Sequence, residues 1–125
     1  MNYKFLGSLN KNIAEYWGIE EHANKPIIVY DDRVQHVIEN HLKDFGTEEK
    51  IIKTYDELHN IIKNPDYVYY NKEKQGLEYY KIIKDDICVA VRINKGKFLK
   101  VRSWYPANDN KIANRKKKEL EEKIE

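Results

Sequence analysis

The apolar pattern predicts an α+β fold: helices in the first half pack on one face of a four-stranded antiparallel sheet, and a charged helix ends the chain. Three observations predict it. Before Pro65 apolar residues recur at helical spacing, and beyond it they alternate. The links between the alternating runs are short and polar, so neighbouring strands run antiparallel.

Residues 2–17 are weakly patterned, with a short strand at Tyr3-Lys4-Phe5-Leu6 and a helical turn ending near Gly18. Ile27-Ile28-Val29-Tyr30 follows Pro26 and has the compact apolar character of a strand. Asp31 or Asp32 can cap a helix over 32–45, which Gly46 stops. Its apolar stripe is Val34, Val37, Ile38, Leu42 and Phe45. Thr47 can cap a second helix over 47–63, with Ile51, Tyr55, Leu58 and Ile62 on its buried side. Asn64-Pro65 ends it, because the residue before proline is pushed out of the helical region. Strands follow at 67–70, 78–84, 86–93 and 98–104. Ile38, Leu58, Ile62, Val89 and Val91 are the expected core.

The 125 residues suit a single domain over 1–125, with a core at about 26–105 and a solvated Lys/Glu tail over 106–125. No apolar run approaches the roughly 20 residues of a membrane span, and the first residues lack a leader-like apolar stretch. One cysteine, Cys88, cannot close an internal disulfide, so a reducing, cytoplasmic setting without membrane contact is expected. The net charge of +2 excludes a uniformly basic nucleic-acid binder, so any basic surface must arise locally.

Alternation sorts the sheet into two sides. Ile87, Val89, Val91, Ile93, Leu99 and Val101 should meet the helices. Arg92, Phe98, Lys100, Arg102 and Trp104 fall on the other side, joined by Tyr79 and Lys81. That face is cationic and interleaved with aromatics, as a platform for single-stranded nucleic acid must be. One-sided sheets also turn polar residues outward without any ligand.

His36 and His41 lie on the first long helix, His41 within its apolar stripe and His36 opposite. Their spacing of five does not suit a helical metal pair, and no matching ligand set accompanies them. No metal and no cofactor is expected. His22 and His59 have no evident partners.

Four segments carry a resemblance: Val34-Gln35-His36-Val37-Ile38-Glu39-Asn40-His41, Asn64-Pro65-Asp66-Tyr67, Tyr79-Tyr80-Lys81-Ile82 and Val101-Arg102-Ser103-Trp104-Tyr105-Pro106. In this order they resemble the phage-type barnase–EndoU–colicin–RelE-like (BECR fold) nucleases, domains found in phages, conjugative elements and polymorphic toxins. The resemblance covers about 26–105. It implies metal-independent RNA cleavage, in which the ribose 2′-hydroxyl attacks the adjacent phosphate and leaves a cyclic phosphate. Proton transfer would fall to His36 and His41, and the phosphate to Lys81, Arg92 or Arg102. Lys100 and Trp104 would line the substrate path, and Ser103 and Tyr105 would orient groups or relay protons. RNA is the implied partner, with a cognate immunity or antitoxin protein as a second.

Strict alternation places Ser103 on the helix side and Arg102 on the open side, so one flat face cannot present both. A bulge before Pro106, or a cleft between the first helix and the sheet edge where His41 meets Ser103, resolves this; the cleft is the expectation. Two other functions fit the same residues: a nucleic-acid-binding module without catalysis, and a protein-interaction component of a mobile element.

Overall fold

A computed structural model describes residues 2–82 and 86–124. The elements run β1 (Tyr3–Ser8), α1 (Lys11–Tyr16), a 3-10 turn (Glu20–His22), β2 (Pro26–Tyr30), α2 (Arg33–Phe45), α3 (Glu48–Lys63), β3 (Tyr67–Asn71), β4 (Gly76–Lys81), β5 (Ile87–Arg92), β6 (Leu99–Pro106) and α4 (Asp109–Ile124). The expected strand over 78–84 extends at its far end to residues 83 and 84, which lie outside the described ones.

The sheet has six strands rather than four, in the order β1-β2-β6-β5-β4-β3. The two N-terminal strands visible in the sequence join it: β1 pairs antiparallel with β2, and β2 pairs parallel with β6. Every other pairing is antiparallel, as the short polar links require.

The β2–β6 ladder is short, pairing Ile27 with Leu99 and Ile28 with Lys100. Beyond Tyr30 the chain turns into α2, which packs beside the remainder of β6. Asp32 holds the N-cap position of α2, but its carboxylate pairs with Arg33 at 3.5 Å instead of capping. Gly46 ends the helix at φ 90°, a conformation that glycine adopts without penalty. Thr47 caps α3 as expected, its hydroxyl accepting from the Lys50 amide at 3.2 Å.

α3 covers one face of the sheet, with Ile51, Leu58, Ile61 and Ile62 buried against Leu77, Val89 and Val91. The expected core residues are buried except Ile38, which is half-buried, and Leu42 of the predicted stripe is exposed.

The C-terminal helix departs most from expectation. Instead of a solvated tail, α4 docks on the opposite face of β3 and β4. Tyr67 donates to Glu119 at 2.5 Å, Tyr69 donates to Glu122 at 3.2 Å, and Arg115 grips Glu78 at 2.9 and 3.1 Å. Tyr16 and Trp17 close the far end, where Lys123 donates to the Tyr16 carbonyl and Trp17 meets Tyr69 edge-on at 5.5 Å. No helix among the described residues is long and apolar enough to cross a membrane.

Candidate active site

A bulge in β6 sets out the site. Ala90 of β5 pairs with Ser103, while its neighbour Val91 pairs with Val101, so Arg102 is the extra residue. A one-residue slip flips every following side chain. Val101 and Leu99 face the helices, as alternation predicts, but beyond the bulge it is Trp104 that faces them. Trp104 is fully buried, donates to the Ile51 carbonyl at 3.3 Å and lies against Tyr55 at 5.6 Å. Its expected place on the open face is therefore wrong. Ser103 and Tyr105 turn to the open face instead, beside Ala90 and Cys88.

The faces of β4 also need correction. Tyr79 pairs with Val89 and Lys81 with Ile87, so both point to the helix side. Lys81 donates to the Asn64 carbonyl at 3.0 Å and pairs with Asp66 at 3.6 Å, away from Ser103. Glu78 and Tyr80 take the open side.

Because α2 replaces β2 beside the last part of β6, its side chains reach the same face. A cleft of about 200 Å³ opens there, lined by Arg33 and His36 from α2, Arg102, Ser103 and Tyr105 from β6, and Glu78 and Ala90 from the sheet floor. His41 stacks on the Tyr105 ring at 5.1 Å. Bulge and cleft thus coexist, and His41 meets Tyr105 rather than Ser103. Both histidines are half-buried, so His36 is less exposed than the helical wheel suggests.

A larger depression, about 670 Å³, lies between α2, α3 and the sheet end. Its lysines, Lys50 and Lys53, sit with the carboxylates of Asp44 and Glu57, and no histidine lines it. The smaller cleft gathers the groups able to do proton chemistry.

Each group in that cleft has a definable state. Burial pushes the His36 pKa below its usual 6.5, and Arg33, His41 and Arg102 nearby push the same way against Glu39. His36 is thus neutral at pH 7 and able to take a proton. Asn40 lies 3.4 Å from its Nδ1, too long to fix the tautomer. His41 Nδ1 lies 2.9 Å from Asp44 Oδ2. An ionised carboxylate only accepts, so Nδ1 carries the hydrogen and the ring is held in one orientation.

Burial, with Cys88 next, raises the Tyr105 hydroxyl pKa well above the usual 10, so it keeps its proton. Its oxygen accepts from Lys111 Nζ at 3.1 Å and from the Cys88 thiol at 3.4 Å. No acceptor among the described residues takes its own hydrogen, which leaves it for a ligand. Cys88 is pushed up to about 12 by burial and is no thiolate nucleophile at neutral pH. The Ser103 hydroxyl is buried and has no hydrogen-bond partner among the described residues. Left unpaired, such a group costs on the order of 1–3 kcal/mol, which a polar ligand in the cleft would offset. Glu78 is engaged by Arg115, Tyr80 and Asn71 at 2.9, 2.5 and 3.4 Å.

Residues 4–114 match the family described as phage-Barnase-EndoU-ColicinE5/D-RelE like nuclease3. The chain belongs to this family. It is a nuclease-family domain, and its substrate is a nucleic acid. No curated protein and no solved structure matches it.

Of the expected site residues, the structure gathers His36, Arg102, Ser103 and Tyr105 at the cleft and His41 at its rim. Arg92 and Lys100 pair side by side on the same face, exposed, toward β2. Lys81 and Trp104 lie on the other face. Sequence reading missed Arg33, Asp44 and Lys111. The first two were within reach, three residues before His36 and three after His41, where a helix brings side chains together. Nothing marked Lys111 among the charges of the tail.

Proposed function

We infer that this domain is an endoribonuclease that cuts RNA by attack of the ribose 2′-hydroxyl, without a metal ion. The observation that supports this most is the convergence of one imidazole, two guanidiniums and an unpartnered hydroxyl at one cleft, with a second imidazole stacked on the Tyr105 ring that lines it. Transesterification at phosphorus requires such a set: a base, an acid and fixed positive charge where the phosphorane develops negative charge.

His36, neutral at pH 7, takes the proton of the 2′-hydroxyl. The 2′-oxygen attacks phosphorus, the bond to the 5′-oxygen breaks, and His41 donates a proton to the departing oxygen. The products are a 2′,3′-cyclic phosphate and a free 5′-hydroxyl. Arg33 and Arg102 hold the phosphate, and Ser103 and Tyr105 donate to its oxygens. Lys111 fixes the Tyr105 hydroxyl and adds a third positive charge. Arg92 and Lys100 engage the neighbouring backbone.

The test uses a DNA oligonucleotide carrying one ribonucleotide, incubated with the protein in EDTA. Cleavage should occur only at the 3′ side of the ribose, and mass spectrometry should find a cyclic phosphate. Cleavage of an all-deoxy strand, dependence on Mg²⁺ or a 5′-phosphate product would overturn the mechanism. Binding without cleavage would identify a nucleic-acid-binding module instead.

A further inference from the structure

The side of the sheet that carries Ser103 and Tyr105 continues past β6 onto β2 and β1. Strand pairing fixes which residues share it: Arg92 opposes Lys100, Lys100 opposes Ile28, Ile28 opposes Phe5, and Tyr30 opposes Tyr3. Lys4, between Tyr3 and Phe5, lies over the Tyr55 ring of α3 on the opposite face, which confirms the assignment. Tyr3 and Phe5 are 54% and 61% exposed, far more than a core strand tolerates, and Phe98 is 36% exposed. The rings form one group: Tyr3 sits 6.1 Å from Tyr30 and 6.2 Å from Phe98. Lys100 Nζ stands 5.7 Å from the Tyr30 ring centroid.

None of these six side chains, Tyr3, Phe5, Tyr30, Phe98, Arg92 and Lys100, is acidic. The nearest carboxylate along β2 is at its end, where Asp31 accepts from Tyr55 and Asp32 pairs with Arg33. An apolar protein partner would not call for the two cations, and a simple phosphate site would not call for the rings. Exposed rings beside cations suit unpaired bases on a charged backbone. Lys100 is two residues from Arg102, about 7 Å along the strand, so one chain can occupy both regions.

We propose that Tyr3, Tyr30 and Phe98, flanked by Lys100 and Arg92, form a base-stacking subsite for the single-stranded RNA that flanks the cut. This rests on the ribonuclease reading only for the identity of the nucleic acid. Paired bases cannot present a face to the rings, so the subsite selects single strands. The edge strand β1, which supplies no group to the cleft, is thereby a specificity element.

The probe is a fluorescein-labelled, all-deoxy ten-nucleotide strand, which carries no 2′-hydroxyl and reports binding alone by anisotropy. Tyr3→Ala with Phe98→Ala should weaken binding about 5- to 150-fold, the usual loss for one stacked base. The salt slope should stay unchanged, since no cation is removed. Tyr3→Phe, which keeps the ring, should bind like wild type, and both variants should match its unfolding midpoint because these side chains are exposed.

Equal affinity in wild type and the double alanine variant would overturn the subsite, as would failure of the wild type to bind the strand. So would equal preference for duplex. A wild-type dimer that the variant abolishes, with strand binding intact, would assign the rings to protein contact and also overturn it. Loss of strand affinity in a protein that cleaves no RNA would keep the subsite and reject the ribonuclease reading.

Discussion

Arg115 holds α4 to the sheet, and its removal tests that docking directly. The Glu78 side chain is 8% exposed and that of Arg115 20%, and two bonds of 2.9 and 3.1 Å join them. Breaking a buried pair by deleting one partner costs about 3–5 kcal/mol, because the other charge stays buried. Water reaches the Arg115 side, and Tyr80 and Asn71 still donate to Glu78, so the lower end applies. Arg115→Ala should cost about 3 kcal/mol, a Tm loss on the order of 10 °C for a domain of this size.

The assay is urea unfolding followed by circular dichroism, with Lys118→Ala as an exposed control on the same helix. Glu78→Gln with Arg115→Met should recover part of the loss, giving a coupling energy above roughly 1 kcal/mol. An Arg115→Ala midpoint within about 0.5 kcal/mol of wild type would refute the docking and return α4 to solvent. A chain cut after residue 114 loses the Arg115, Glu119 and Glu122 contacts together, so it should be destabilised at least as much.

Three further substitutions test the site and its surroundings. His36→Ala should slow RNA cleavage roughly 10²–10⁴-fold; as a base, His36 must be unprotonated, and since burial and its neighbours lower its pKa, the acid limb of kcat/KM should fall below pH 6.5. Arg33→Ala removes one of those cations and should move that limb upward, and a limb that stays put under both changes excludes His36 as the base. Trp104→Phe should leave strand affinity unchanged while costing about 1–2 kcal/mol in urea unfolding, because the indole is buried and hydrogen-bonded to Ile51; weaker RNA binding in stable protein would place it at the substrate after all.

Local patterning made much of the fold legible. Thr47, Gly46 and Pro65 mark helix ends through short-range sterics and capping, and the structure places the ends there within a residue. The two N-terminal strands were visible as segments, but β2 joins the sheet by a parallel pairing with a strand some seventy residues later, which no hairpin signal announces. The docking of α4 was hidden for another reason. Its anchors, Arg115, Glu119 and Glu122, are charged residues that read as solvated, and their partners are tyrosine hydroxyls and a buried glutamate on distant strands.

The bulge at Arg102 was the step that alternation alone could not supply, and it carries the site. Without it, Trp104 would stand on the open face and Ser103 would be sealed under α3. With it, one inserted residue sends the indole into the core against Ile51 and brings Ser103 and Tyr105 beside His41 and His36. The end of the β2–β6 ladder acts in concert. A continued β2 would occupy the flank of β6 with another strand, whereas the turn at Asp31 and Asp32 lets α2 lie there with its histidines. The two irregularities place β6's polar groups and α2's imidazoles at one cleft, and a regular sheet would have kept them apart.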